Sequence, residues 1–185
     1  MRDPLTNKMF GATLLSGAIS GITFMMIPGA LWVGPGLLFG VATAWFFRTA
    51  KWLDAVQVML WVIASSTAWY AAIETYLAYG SNPVNGTPSG GLTNMLIAGL
   101  VGSGLIAVVL SVLVRRIKPI SIVITIVCGV ILATIMYEIL NFGSGTQLTG
   151  GTDGGLSYAK LAIAFAIWQA GVGLSLLGYK PKKLR

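Results

Sequence analysis

The sequence predicts an all-helical membrane protein with six membrane-spanning helices in a single domain over residues 1–185. Two features of the composition carry this prediction. Hydrophobic residues make up 56% of the chain and charged residues only 9%, whereas a soluble domain carries about 25% charged residues. So few charged side chains cannot cover a water-facing surface. Most of the apolar surface is therefore expected to face a lipid bilayer.

Six apolar runs have the length of a membrane span. A transmembrane helix needs about 20 mostly apolar residues, and charged residues and Gly/Pro clusters separate the runs from one another. The predicted spans cover residues 10–27, 30–47, 53–79, 92–114, 119–140 and 156–178.

The positions of the basic residues predict the orientation. Of the 12 Lys and Arg residues, 11 precede the first span, separate spans two and three, separate spans four and five, or follow span six. Cytoplasmic loops retain positive charge, so both termini are predicted to be cytoplasmic, in a prokaryotic plasma or inner membrane. This topology accounts for the net charge of +7, and no nucleic-acid partner is expected.

The residues that most catalytic and metal sites require are rare. The chain has no His and a single Cys, Cys128, which excludes Ser-His-Asp triads, histidine zinc motifs and intrachain disulfides. No paired intramembrane Asp motif and no phosphate-binding loop is present. We expect a protein that is not an enzyme and that binds no metal or cofactor.

Two Gly-rich segments at 80–91 and 141–155 connect the predicted spans on the side opposite the bases. They are small, polar and almost uncharged. Such segments are typical of flexible connectors, and the alternative is a lid over an outward-facing cavity.

A shift of 64 residues aligns parts of the chain with itself. It places Glu74 on Glu138 and Gly90-Gly91 on Gly154-Gly155. Spans three and four would then form a parallel repeat of spans five and six. Duplication and coincidence both remain open.

Three ionisable residues near the outer edge of the spans are candidate ligand- or ion-binding residues, because charge within a span is costly. Glu138 and Lys160 enter the membrane to similar depth from one connector, and we expect them to form an ion pair. Glu74 has no base in its own hairpin, and it lies near the C-terminal end of a helix, where an acid is disfavoured. Glu74 is therefore the first candidate for binding a cation or exchanging a proton.

Further candidates lie close to these residues. Tyr70 is one helical turn from Glu74, and Tyr137 is adjacent to Glu138, so both could stack on a ligand. Gly34-Pro35-Gly36 is expected to interrupt the second span, as a kink or as backbone groups offered to a solute. Gln169 is an amide in the middle of a span and needs hydrogen-bond partners.

Two functions follow from these features. The first is binding or conduction of a small solute or cation at an outward-facing site. The second is a non-catalytic subunit or scaffold that docks a membrane protein partner or a second copy of itself. Small residues at helix-packing spacing, at 16–21 and 99–104, would serve either internal packing or such docking.

Overall fold

The computed structural model describes residues 4–26, 33–80, 91–114, 118–141 and 154–179, and these residues form helices with no strand. The all-helical prediction is confirmed for this part of the chain. The junction between the first two predicted spans, the connectors 81–90 and 142–153, and the basic tail 180–185 lie outside it. The elements are α1 (Pro4–Met26), α2 (Gly34–Thr49), α3 (Ala55–Gly80), α4 (Gly91–Leu113), α5 (Pro119–Asn141) and α6 (Gly154–Ser175), with a short 3-10 helix at Leu176–Tyr179.

Four segments of these helices are long and apolar enough to cross a membrane. They are Ala55–Ala78, Gly91–Leu113, Pro119–Leu140 and Ala159–Tyr179, and they fit an integral membrane location. Helix α2 has 16 residues, a length of about 24 Å at 1.5 Å per residue. The full count of six spans stays a prediction.

The helices form a closed ring. Each helix packs against its neighbours in sequence, and α6 packs against α1 to close the ring. Consecutive helices are therefore antiparallel. Of the five described bases, Lys8, Arg48, Lys51 and Lys118 lie at one end of the bundle, where α1, α3 and α5 begin, and we call this the basic end. The fifth, Lys160, lies near the start of α6, toward the opposite end.

The closing contact between α1 and α6 depends on glycine. A Cβ atom added at Gly17 would lie 2.5 Å from the Cα of Ala166, and one added at Gly21 would lie 2.5 Å from the Cα of Ala162. Real side chains do not approach backbone so closely. The small-residue run at 16–21 therefore packs within the bundle, in the way that small residues allow helix backbones to approach in membranes.

Helix α2 ends in a Schellman motif whose left-handed residue is Lys51, with φ of 56°. The amide of Trp52 donates to the carbonyl of Phe47 at 2.8 Å, and that of Lys51 donates to the carbonyl of Arg48 at 3.1 Å. The ring of Trp52 stacks on that of Phe47 with centroids 5.5 Å apart. This is the apolar contact that usually accompanies the motif, and it turns the chain directly into α3.

Helix α3 begins with a reciprocal capping box. The amide of Gln57 donates to Asp54 Oδ1, and the amide of Asp54 donates to Gln57 Oε1, both at 2.9 Å. Two amides that the helix leaves unpaired are thereby satisfied. The Gln57 Nε2 also donates to the carbonyl of Leu113 at 3.0 Å, which fixes the start of α3 against the end of α4.

The helix start at Gly34 differs from the predicted second span, which began at residue 30 and was interrupted at Gly34-Pro35-Gly36. Val33 is the N-cap, and Pro35 lies in the first turn. Proline is favoured there because the amide it lacks would have no partner within the helix. The segment begins the described helix and does not break it.

The α1–α6 contact predicts a contrast between two substitutions in one helix. Gly17→Ala should lower the free energy of unfolding by about 1–3 kcal/mol or more, because the helices must separate. Gly11→Ala should be neutral or stabilise by up to about 1 kcal/mol, because nothing lies within 4 Å of the added Cβ and alanine favours helix. Thermal unfolding in detergent, followed by circular dichroism, measures both. Equal effects would contradict the close approach.

Candidate functional site

A cavity of about 210 Å³ lies between α3, α4, α5 and α6. Its lining residues come from 69–76, 95–99, 133–140 and 161–168, which are close to the ends of α3 and α5 and the starts of α4 and α6. We call this the cavity end of the bundle, and it is opposite the basic end. All of the lining side chains are apolar or aromatic.

One wall of the cavity is aromatic. The ring of Trp69 lies 5.0 Å from that of Phe165 in a tilted arrangement, and 5.9 Å from that of Trp168 in a T-shaped one. Behind them, Phe39 of α2 contacts Trp168 at 6.3 Å. These centroid distances fall in the favourable range for aromatic pairs. Because three helices supply the rings, the wall is fixed by packing, and Tyr76 extends it along α3.

The facing wall, from α4 and α5, combines small residues, which leave space open, with the larger Met95, Met136 and Leu140. Ala98 and Gly99 come from α4, and Ala133 comes from α5. A Cβ atom at Gly99 would lie 2.6 Å from the Cβ of Ala133, so α4 and α5 are in close contact. The flexible side chains of Met95 and Met136 lie at the same cavity, and methionine adapts to irregular spaces.

The indole nitrogen of Trp69 is the buried polar atom of this wall that lacks a hydrogen-bond partner. Leaving a buried donor unsatisfied costs about 1–3 kcal/mol. By contrast, Trp61 is fully buried two turns earlier in α3, and its Nε1 donates to Thr43 Oγ1 at 2.8 Å. Of the two tryptophans of α3, Trp61 thus has a hydrogen-bond partner for its indole N–H and Trp69 does not.

Glu74, the first candidate from the sequence, lies on the outward face of α3. It is exposed and accepts a hydrogen bond from the Tyr70 side chain. Ile63, Tyr70 and Leu77 are exposed on the same face. Glu74 follows Tyr70 by four residues and precedes Leu77 by three, the spacing that defines one side of a helix. Glu74 is not among the residues that line the cavity. Its role in binding is untested and stays a prediction.

Glu138 and Lys160 also lie outside the cavity lining. Glu138 is exposed on the face of α5 that carries Ile131 and Ile135, and Lys160 is half-buried on α6. Tyr137 is half-buried and packs across the start of α4, since a Cβ at Gly91 would lie 2.8 Å from its ring. The Glu138–Lys160 pair and a ligand contact for Tyr137 stay predictions.

Gln169 is fully buried at the junction of α1, α2 and α6. Its Oε1 accepts from Ser16 Oγ at 2.7 Å, and its Nε2 donates to Ser20 Oγ at 3.0 Å and to the carbonyl of Pro35 at 3.2 Å. The amide thus has protein partners at both of its polar atoms. This satisfies the need predicted from sequence, and a ligand contact for Gln169 is untested.

The start of α2 is likewise bonded to its neighbours. The Ser65 hydroxyl donates to the carbonyl of Gly36 at 2.9 Å, and a Cβ at Gly36 would lie 2.6 Å from the Cβ of Trp69. Gly34 faces open space. The gap lined by Pro35 and Gly36 has a volume of about 10 Å³, close to the least that holds one water. A solute contact for Gly34 and Gly36 stays a prediction.

Comparison with known proteins finds no match: no family model, no curated protein and no solved structure is similar to this chain. Within the described helices, no group of three acidic or cysteine side chains could hold a metal ion. The functional argument therefore depends on the cavity.

The residues that line the cavity are not among the candidates predicted from the sequence, although their spacing along α3 indicates a shared helix face. Trp69, Ala72, Ile73 and Tyr76 follow the spacing of a single helix face and all line the cavity. The positions 64 residues after Trp69, Ala72 and Tyr76 are Ala133, Met136 and Leu140, which line it from α5. Corresponding faces of α3 and α5 thus meet at the cavity, and the repeat itself stays a prediction.

The contrast between the two tryptophans gives a prediction. Trp61→Phe and Trp69→Phe remove the same atoms, but only the first breaks a hydrogen bond and only the second removes an unsatisfied donor. Trp61→Phe should therefore lower the free energy of unfolding by at least about 1 kcal/mol more than Trp69→Phe. Thermal unfolding of both variants measures the difference. Adding Thr43→Val to Trp61→Phe should cost less than Thr43→Val alone, and strict additivity would contradict the pairing.

Proposed function

We propose that this membrane protein binds a small, predominantly apolar molecule in the cavity between α3, α4, α5 and α6. The cavity carries the proposal: about 210 Å³ of space is bordered by apolar side chains from four helices. An engineered apolar cavity of about 150 Å³ stays dry and binds benzene. A larger cavity of the same chemistry therefore has room for a small organic molecule.

Binding, without a reaction on the ligand, fits the chemistry of the lining. The alkyl, thioether, indole and phenyl groups there supply neither a nucleophile nor a general base, and the Tyr76 hydroxyl is a weak acid. We accordingly infer a protein that captures or passes a solute. The acidic residues expected to bind a cation lie outside the lining, so a neutral solute is favoured over an ion.

The proposal places the cavity at the outer face of a six-span bundle. Four of the five described bases, all except Lys160, mark the basic end, which the positive-inside rule assigns to the cytoplasm. The cavity is at the opposite end. Helices α1 and α2 close the ring with the four apolar helices. This packing supports the proposal that α1 and α2 also span the membrane.

Cysteine labelling tests this orientation. In a Cys128→Ser background, Thr49→Cys, at an exposed position that leaves Arg48 and Lys51 in place, should react with a membrane-impermeant maleimide only after the cytoplasmic side is opened. Ser89→Cys, in the connector between α3 and α4, should react from outside in intact cells. The opposite pattern would reverse the orientation, and labelling of both from one side would refute a membrane crossing by α3, the helix between them.

Filling the cavity should abolish binding. Ala98 is 7% exposed and lines the cavity, so Ala98→Leu places a larger side chain in the space, and Ala98→Val does so with less strain. Ala55→Leu makes the same change at an exposed position of α3 and is the matched control. We expect naphthalene or decalin to raise the melting temperature of wild type and Ala55→Leu, and neither Ala98 variant to respond. Failure of both probes on wild type would overturn the proposal.

A second function, docking of a larger membrane protein or of a second copy, is favoured by one observation. The hydrogen-bonded pair Tyr70 and Glu74 lies on the exposed face of α3, and a carboxyl group is costly where it faces lipid. A partner helix would cover it. Glu74→Gln distinguishes the two functions. It should leave ligand binding in the cavity unchanged, whereas docking at this face predicts that the variant forms a smaller complex than wild type under native conditions. Loss of pH- or cation-dependent binding would instead support the role predicted for Glu74 from sequence.

A further inference from the structure

We infer that the occupant of the cavity is a planar aromatic ring system of one or two fused rings, and not an aliphatic chain. This inference rests on the proposed function and specifies the class of ligand. It follows from the difference in chemistry between the two walls of the cavity and from its volume.

The aromatic wall favours another ring. Trp69, Phe165 and Trp168 already pack with centroids 5.0 and 5.9 Å apart, within the range of about 4.5–7 Å in which aromatic rings attract one another beyond their area burial. The cavity continues from this cluster, since all three rings line it. An aromatic occupant would add a further ring pair, whereas an aliphatic occupant would be stabilised only by the burial of apolar surface.

The part of the opposite wall that small residues form favours a flat ligand. Ala98, Gly99 and Ala133 present at most a methyl group each, from two helices in close contact. A planar ring can lie against such a surface over its whole face, and dispersion contacts depend on that closeness. A thioether from Met95 or Met136 at the same cavity would add sulfur contacts to a ring.

The volume of the cavity and the lack of charge on its lining residues restrict the class of ligand further. About 210 Å³ exceeds the space of about 150 Å³ that holds benzene, which leaves room for a second fused ring. The residues that line it include no ionisable acid or base other than Tyr76. The part of the ligand inside the cavity is therefore uncharged.

The experiment compares naphthalene, decalin and dodecane, which represent a fused aromatic, its saturated counterpart of similar size, and a lipid-like chain. The protein is labelled with 5-fluorotryptophan and titrated in detergent micelles at equal mole fractions of probe. The fluorine resonances of Trp69 and Trp168 report the cavity, and that of Trp61, which lies outside the lining, is the internal control. Because the signal is site-specific, partitioning of the probe into the micelle does not imitate binding.

We expect naphthalene to saturate the Trp69 and Trp168 shifts with an affinity roughly two- to tenfold higher than that of decalin, and dodecane to bind more weakly than either. Ala98→Leu should remove the naphthalene response, and Ala55→Leu should retain it. Decalin or dodecane binding as tightly as naphthalene would overturn the aromatic inference and leave the proposed function standing. No saturable response to any of the three would overturn both.

Discussion

The contact between α1 and α6 is the constraint on which the arrangement of the other helices depends. Each other contact in the ring joins consecutive helices. The α1–α6 contact joins the first and last helices of the ring, and it requires backbones close enough to exclude a side chain at Gly17. Gln169 adds hydrogen bonds from α6 to both α1 and α2. In an apolar surrounding, where burial of apolar surface gives little drive to association, such packing and hydrogen bonding hold helices together.

The cavity is a consequence of how this ring is filled. Large aromatic side chains from α2, α3 and α6 occupy the interior on one side, including Phe39 and Phe165. On the other side α4 and α5 meet through Gly99 and Ala133, whose small side chains draw the helices together but reach little into the interior. Protein interiors normally leave few voids larger than a water molecule. A cavity of this size beside a tightly packed aromatic cluster is therefore a specific feature of the arrangement.

The charged residues and Gly/Pro clusters between the apolar runs predicted the bounds of α3, α4, α5 and α6 to within a few residues. Helix α1 instead begins at Pro4, before the predicted residue 10, and α2 begins at Gly34, after the predicted residue 30. The sequence also predicted that Gln169 needs partners, since an amide in a span cannot remain unpaired. It did not predict which face of each helix points inward. Glu74 and Tyr70 lie on the outward side of α3, whereas Trp69 and Tyr76 line the cavity. In a lipid-facing helix both sides are apolar, so hydropathy does not indicate which face points into the bundle. The packing partners determine that face.

The turn between α2 and α3 contains one residue whose backbone conformation lowers the stability of the folded protein. Lys51 adopts the left-handed conformation, in which a residue with a Cβ is less stable than glycine by roughly 1 kcal/mol. Glycine would fit the Schellman motif better. Yet this connector is only a few residues long, and Arg48 and Lys51 are its only bases. Under the proposed orientation, replacing Lys51 by glycine would halve the charge that retains this hairpin on the cytoplasmic side during insertion. Under that orientation, lysine at this position would favour correct insertion into the membrane at the expense of the conformational stability of the folded protein.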